Sequence, residues 1–209
     1  MPATRSSVPA ESASRVEAVV LAGGEGRRMG GVDKGLVEFA GRALVEHVIE
    51  RLAPQVTSVS ISANRSLSAY RAQAAGAVFE DRGECAGAGP LAGIDAALAR
   101  MRPGTEWLLV APCDAPLLPL DLCSRLLAVA QESTEVVYAC DRKHCHPTVA
   151  LLRHELAPRL RTALREGVRR PLDFYAGCET RIAQFPDPIA FANLNTPAQL
   201  AELESMLRG

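Results

Sequence analysis

The chain has no excess of charge of either sign and no long apolar run. Its 23 basic and 24 acidic residues leave a formal net charge of −1, so no overall positive field attracts nucleic acid or an anionic membrane. Its apolar runs are far shorter than the ~20 residues that a membrane-spanning helix needs. The opening MPATRSSVPAESASR lacks the apolar centre of a signal peptide. We therefore expect a cytoplasmic location, with neither nucleic acid nor a membrane as a partner.

Lysine is scarce, and cysteine is not concentrated. Six cysteines are scattered over 209 residues, without the density of a disulfide scaffold. Only two of the 23 basic residues are lysines, Lys34 and Lys143. Lys34 lies in a glycine-rich stretch, where a compact point charge suits phosphate better than a planar guanidinium does. Chance is the alternative explanation, because two lysines must lie somewhere.

The order of apolar patterns predicts one α/β domain. The 48% hydrophobic content is enough for a sizeable core, and short apolar runs alternate with segments of helical periodicity. This alternation predicts a mainly parallel sheet in a three-layer arrangement. We expect a disordered lead-in at 1–15 and a single domain at 16–209. The predicted strands are 16–21, 56–62, 77–80, 107–112, 135–140 and 148–152. The predicted helices are 44–52, 66–75, 90–101, 120–130 and 197–208.

The stretch LAGGEGRRMGGVDKGL, at 21–36, directly follows the first predicted strand. It holds six glycines, two arginines and a lysine, at the strand end where α/β sheets bind ligands. It is not a dinucleotide fingerprint, because Met29 stands where the third glycine belongs, and not a P-loop, because Gly35 follows Lys34. A merely flexible glycine loop is the alternative. We predict a loop whose amides and cations surround a nucleoside triphosphate.

A second candidate is Asp114 in APCDAPLL. It lies just past the end of the apolar strand WLLVAP, between two prolines that stiffen the turn. An aspartate in a turn often serves only as a backbone acceptor or a helix cap. Its place at a strand's carboxyl end, facing a phosphate loop, predicts instead that Asp114 holds Mg²⁺.

Two further clusters have plainer explanations. Cys140, His144, Cys145 and His146 are potential metal ligands, but their spacing is not that of a zinc site and no partner pair lies elsewhere. Arg169 and Arg170 could meet an acidic ligand, although loop arginines usually lie at a solvated surface.

Five segments together resemble the molybdenum cofactor guanylyltransferases, within the nucleotidyltransferases that carry an LxGGxGxRM loop. They run in family order over nearly all of residues 16–209. One departure is ECAGAG before Pro90, where the family usually has a tyrosine or similar residue. The matching segments are LAGGEGRRMGGVDKGL, GPLAG at 89–93, PCDAP at 112–116, HPTVALL at 146–152 and FANLNTP at 191–197.

The resemblance implies a three-layer α/β/α, Rossmann-like nucleotidyltransferase fold and a reaction. GMP would pass from GTP to Mo-molybdopterin, with Mg²⁺ as cofactor and pyrophosphate as the second product. Transient contact with recipient molybdoenzymes is a further implied partner. Arg28, Lys34 and Asp114 would be catalytic, Asp114 would hold the metal, and Asn193 and Asn195 resemble an element of the pterin side. The residues implied to bind GTP are Leu21, Ala22, Gly23, Lys34, Asn64, Asp81 and Asp114.

Overall fold

The computed structural model describes residues 15–22, 25–26 and 32–208. Of the predicted lead-in at 1–15, residues 1–14 lie outside the described residues, and Arg15 lies in an exposed turn. Gly23 and Arg28 also lie outside the described residues. No helix within the described ranges is long and apolar enough to cross a membrane.

The strands are numbered here in chain order. Most strands of the main sheet coincide with short apolar runs of the sequence, and the longest strands lie in the middle of that sheet. They are β1 (Val16–Leu21), β2 (Glu25–Gly26), β3 (Val32–Asp33), β4 (Glu38–Phe39), β5 (Arg42–Ala43), β6 (Val59–Ser62), β7 (Val78–Phe79), β8 (Trp107–Pro112), β9 (Val136–Cys140), β10 (Cys145–Arg153) and β11 (Thr180–Gln184).

The helices lie mainly between these strands. They are α1 (Leu44–Leu52), α2 (Leu67–Gln73), α3 (Pro90–Leu98), α4 (Leu122–Val129), α5 (Ala157–Arg165), α6 (Pro171–Tyr175) and α7 (Pro197–Arg208).

Seven strands of the described chain form one sheet, in the order β11-β9-β10-β8-β1-β6-β7. Strands β8, β1, β6 and β7 are parallel to one another. β10 pairs antiparallel with both β8 and β9, and β11 pairs parallel with β9. The mainly parallel sheet is therefore confirmed, with one reversed strand near its centre. The carboxyl ends of β1, β6, β7, β8 and β9 consequently meet at one edge.

Successive residues of the central strands point to opposite faces of the sheet, as the strand period of two requires. Leu109 and Ala111 belong to the core beneath α1, α2 and α4, whereas Leu108 and Val110 belong to the core beneath α3 and α5. Both faces are thus covered, which is why WLLVAP is apolar without alternation. The predicted three layers are confirmed.

The predicted elements exist, but their bounds shift. β6, β7 and β9 begin later than predicted, and β10 extends beyond its predicted span at both ends. The helices α2, α3 and α4 are shorter than predicted. The start of the last helix is as predicted, because Gln199 N–H donates to Thr196 Oγ1 at 3.3 Å and Gln199 Oε1 accepts from Thr196 N–H at 3.1 Å. The sequence did not predict α5, α6, β11 or the two short hairpins β2–β3 and β4–β5.

Candidate active site

A cavity of about 340 Å³ opens at the edge where the parallel strands end. Each of the central strands delivers a side chain or backbone to its wall, as expected for a ligand site in an open α/β sheet. Leu21 ends β1, Ser62 ends β6, and Pro112 ends β8. The remaining lining residues are Lys34, Asn64, Asp81, Gly87, Gly89, Pro90, Gly93, Cys113, Asp114 and Thr148.

Lys34 reaches this cavity from the glycine-rich stretch. β2 and β3 pair as an antiparallel ribbon, and the short 3-10 helix Lys34–Leu36 follows directly. The Lys34 ammonium forms a salt bridge with Asp114 Oδ2 and donates a second hydrogen bond to Asn195 Oδ1. The structure therefore brings Lys34 and Asp114 together with Asn195, which the resemblance assigned to the pterin side.

Asp114 is held by its backbone as well as by its side chain. It follows β8, and its carbonyl accepts a hydrogen bond from Leu194 N–H at 3.0 Å. Its second carboxylate oxygen, Oδ1, is buried and has no hydrogen-bond partner among the described residues. A buried carboxylate oxygen without a partner costs free energy unless a ligand or ion meets it. Asp114 Oδ1 thus fits a metal ligand.

Asn64 and Asp81 form the opposite wall. Asn64 Nδ2 donates to Asp81 Oδ2 at 2.8 Å, and Asp81 N–H donates back to Asn64 Oδ1 at 3.0 Å. Ser62 Oγ donates to Asp81 Oδ1 at 3.2 Å, and Gly87 N–H donates to Oδ2 at 2.9 Å. These bonds fix the loop after β7 against the ends of β6 and β7. The resemblance implied Asn64 and Asp81, which both line the cavity, but not Ser62, because a serine at a strand end carries no signal.

Glycines bring the backbone of α3 close to this wall. Gly89 precedes the helix with φ of +84°, a conformation that favours glycine, and Pro90 occupies the first turn as predicted. A Cβ on Gly93 would lie 2.8 Å from Ser62 Oγ and 2.9 Å from Leu21 Cδ2. A side chain at position 93 would therefore have to displace these two groups of the cavity wall.

The other predicted candidates among the described residues do not line this cavity. Ala22 is buried beside the cavity, and its N–H bonds the Ser62 carbonyl at 2.8 Å. Asn193 borders a separate cavity beside α7. The Arg169 guanidinium donates to the carbonyls of Leu164 and Val168, at 2.6 and 2.9 Å. Neither Arg169 nor Arg170 is among the residues that line the main cavity.

The cysteine and histidine cluster is not a metal site. Cys140 and Cys145 form a disulfide across β9 and β10, which the sequence analysis did not predict. His146 Nε2 lies 2.8 Å from Asp141 Oδ2, and its ring stacks on Phe191 at 4.6 Å between centroids. Among the described residues, no group of three or more histidine, cysteine, aspartate or glutamate side chains could hold a metal ion.

Cys113 is the thiol nearest to Asp114, and its ionisation is suppressed. Burial raises the pKa of the Cys113 thiol well above its usual value, and the Asp114 carboxylate raises it further. A protonated, buried thiol is a poor nucleophile. The cavity therefore offers charge and positioning rather than a covalent nucleophile from Cys113.

The sequence of this chain is similar to known nucleotidyltransferases. Residues 18–179 match the family model described as the MobA-like NTP transferase domain. The molybdenum cofactor guanylyltransferase of Photobacterium profundum is 42% identical over 197 residues, covering 94% of this chain and 99% of that protein.

Solved structures of low sequence identity share the fold. Molybdopterin-guanine dinucleotide biosynthesis protein A from Archaeoglobus fulgidus has a TM-score of 0.71 and 23% identity, covering 92% of this chain and 98% of that one. 4-Diphosphocytidyl-2C-methyl-D-erythritol synthase from Anaerococcus prevotii has a TM-score of 0.74 and 9% identity, covering 94% of this chain and 97% of that one.

Proposed function

This chain belongs to the molybdenum cofactor guanylyltransferases, and we propose that it transfers GMP from GTP to the terminal phosphate of Mo-molybdopterin, releasing pyrophosphate. The observation that carries the proposal is the contact between the Lys34 ammonium and Asp114 at the carboxyl edge of the sheet. It puts a cation and a metal-type carboxylate in one cavity beside the glycine-rich stretch. Phosphoryl chemistry needs both.

GTP would enter between the two walls of the cavity. We assign the base and ribose to Leu21, Ala22 and Gly23, and the phosphates to Lys34. Leu21 supports this assignment because it ends β1 and lines the cavity.

The Asn64–Asp81 pair would complete the nucleotide pocket. Guanine offers N1–H and an exocyclic amine as donors, and Asp81 supplies carboxylate oxygens at the cavity wall. A site built to pair these donors rejects bases that lack them. We therefore propose a clear preference for GTP over CTP and ATP.

The chemical step is an in-line displacement at the α-phosphorus. An acceptor phosphate oxygen forms the new P–O bond, and the bond to the β-phosphate bridging oxygen breaks, so pyrophosphate leaves with the electron pair. The acceptor oxygen is already a nucleophile, so no general base is required. Lys34 would neutralise phosphate charge, and we assign Arg28 to the charge on the leaving group.

Asp114 is the residue that would hold Mg²⁺. One or two carboxylates together with substrate phosphates form the usual Mg²⁺ site in nucleotide enzymes, and Asp114 Oδ1 is buried without a partner among the described residues. When bound, the ion would neutralise phosphate charge and orient the displacement. Lys34 holds the other carboxylate oxygen, so the Asp114 side chain would be oriented before the nucleotide arrives.

The acceptor would approach from the side of residues 191–195. Asn195 supports this because it contacts Lys34 and belongs to the segment that bonds the Asp114 carbonyl through Leu194. Asn193, Arg169 and Arg170 are weaker candidates for the pterin side, since they do not line the main cavity. We further propose that residues 16–209 form one domain, acting in the cytoplasm and handing its product to recipient molybdoenzymes.

The test is pyrophosphate release with Mg²⁺, Mo-molybdopterin and one nucleotide at a time. We expect release with GTP, little with CTP or ATP, and none without the acceptor. A Gly23→Ala variant should partly relax the preference towards CTP, because a Cβ near the base reduces the room for a purine. Equal use of CTP and GTP by the wild type would overturn the guanylyl assignment but leave nucleotidyl transfer standing. GTP binding without release with any acceptor would indicate a binding module.

A further inference from the structure

A buried tyrosine lies directly behind the lysine of the site. Tyr70, in the middle of α2, is fully buried, and its hydroxyl donates a hydrogen bond to Asp33 Oδ1. Asp33 is itself buried and immediately precedes Lys34. The cavity lining includes neither Tyr70 nor Asp33, so the pair acts from outside the nucleotide site.

The residue on the other side of Lys34 packs on the same ring. A Cβ on Gly35 would lie 2.6 Å from Tyr70 Oη and 3.1 Å from Tyr70 Cε1. Both neighbours of Lys34 are therefore fixed against one side chain, through a hydrogen bond at Asp33 and close contact at Gly35. Between these two anchored residues, the Lys34 side chain extends to Asp114 and Asn195, where its ammonium is bound.

We infer that Tyr70 is a positioning residue, which acts through Asp33 and Gly35 to hold the Lys34 ammonium at Asp114. Burial and the hydrogen bond to Asp33 both raise the pKa of the Tyr70 phenol, which keeps it a hydrogen-bond donor. The kinetic part of this inference rests on the proposed function, whereas the position of Lys34 can be measured without any activity.

The two lysines of the chain make that measurement simple. The Lys34 side chain is 14% exposed and salt-bridged, whereas Lys143 is exposed. Brief acetylation of the whole chain, followed by peptide mass spectrometry, gives the Lys34-to-Lys143 labelling ratio, with Lys143 as an internal reference. Tyr70→Phe removes only the hydroxyl. We expect this substitution to raise the labelling ratio about tenfold, because the loss of one hydrogen bond to a charged group changes an equilibrium by about that factor.

Tyr175→Phe is the matched control. Tyr175 is also buried, and its hydroxyl donates to the Pro147 carbonyl at 3.0 Å, a bond that does not involve the Lys34 segment. We expect no change in the labelling ratio. An equal rise in both variants would reveal general loosening and overturn the inference, as would a wild-type ratio in Tyr70→Phe.

Asp33 variants keep the test decisive if Tyr70→Phe does not fold. Asp33→Asn retains an oxygen acceptor for the Tyr70 hydroxyl and should label like the wild type, whereas Asp33→Ala should raise the ratio. Labelling at the wild-type ratio in Asp33→Ala would contradict the inference.

Kinetics supply the second readout. Tyr70→Phe should lower kcat/KM about tenfold in the wild-type background and leave it unchanged in a Lys34→Met background, because the effect passes through Lys34. A full additional loss in the Lys34→Met background would show that Tyr70 acts by another route. If the wild type releases no pyrophosphate, the proposed function fails, while the labelling ratio still tests the position of Lys34.

Discussion

Lys34 and Asp114 are 80 positions apart in the chain and form a salt bridge whose side chains are only 14% and 13% exposed. The bridge joins the glycine-rich stretch to the end of the central strand β8. An ion pair with so little solvent around it acts over a lower effective dielectric than a surface pair does. The two charges are therefore well placed to act on a bound triphosphate.

Asp114→Asn tests the carboxylate half of this bridge. The amide keeps the shape of the side chain but removes the charge that would hold Mg²⁺. We expect kcat/KM for GTP to fall by ~100-fold or more, the scale of losing one electrostatic contact in an active site. GTP affinity without Mg²⁺ should change little, and the gain in affinity on adding Mg²⁺ should disappear.

The exposed Asp121, which lies just before α4, gives the control. Asp121→Asn removes the same charge outside the main cavity and should leave turnover and the Mg²⁺ response unchanged. Near-wild-type turnover in a folded Asp114→Asn protein would mean that another group holds the metal.

Lys34→Arg tests the shape of the cation. A guanidinium spreads its charge in a plane and is larger than an ammonium, so it cannot place one point charge between Asp114 and Asn195. We expect kcat/KM to fall about tenfold or more, because misplacement of about 1 Å costs up to ~100-fold. Lys143→Arg makes the same exchange at an exposed position and should leave kcat/KM unchanged. Equal kcat/KM for Lys34→Arg and the wild type would rule out the point-charge argument.

These residues also mark how far the sequence could predict the site. Asp114 was predicted from the residues themselves, because it follows an apolar strand at the edge where α/β sheets bind ligands, whereas Asn64 and Asp81 were implied by the resemblance to the family. The contact between Lys34 and Asn195 spans 161 positions and depends on how the segment before α7 folds back. No local pattern encodes such a contact.

Some elements of the fold could likewise be predicted from the sequence, and others could not. β8 was predictable because its run of apolar residues is covered on both faces, and α7 because Thr196 and Gln199 form a capping box. The antiparallel direction of β10 was not predictable, because an apolar run does not indicate whether its strand is parallel or antiparallel to its neighbours. β11 was missed because only Ala183 of its five residues is buried, which leaves no apolar run. The disulfide depends on the register between β9 and β10, which the spacing of cysteines does not give.

Gly93→Ala tests the close approach of α3 to the cavity wall. The new Cβ would meet Ser62 Oγ at 2.8 Å and displace the hydroxyl that bonds Asp81. We expect KM for GTP to rise on the order of tenfold, less than the ~100-fold cost of a 1 Å misplacement. Stability should change little, because alanine favours a helix interior by about 1 kcal/mol and offsets the strain.

The same substitution in a Ser62→Ala background tests whether the rise in KM comes from the contact between the new Cβ and Ser62 Oγ. Once the hydroxyl is gone, Leu21 Cδ2 is the nearest remaining atom, and a terminal methyl group can rotate away. Gly93→Ala should then raise KM little further. A full further rise in that background would show that position 93 acts on the nucleotide by another route.

Asp141 provides a test of stability against pH. The buried Asp141 Oδ1 accepts hydrogen bonds from the N–H groups of Lys143 and His144, at 2.6 and 2.8 Å, and Oδ2 pairs with His146. Burial alone would raise the pKa of the Asp141 carboxyl, but these hydrogen bonds outweigh it and lower the pKa to about 2 from a usual value of 3.8. The charged form is therefore the one that the folded hairpin between β9 and β10 favours.

A lowered pKa in the folded state adds stability above the unfolded-state pKa, and that stability is lost as the pH falls through the folded-state pKa. The wild type should thus be more stable than Asp141→Asn at pH 5 to 7, and this margin should shrink between about pH 4 and pH 2. Urea unfolding at a series of pH values measures this difference directly. Asp173→Asn, at an exposed position on α6, controls for the loss of one negative charge. A margin that stayed constant down to pH 2 would mean that the negative charge of Asp141 contributes nothing to stability.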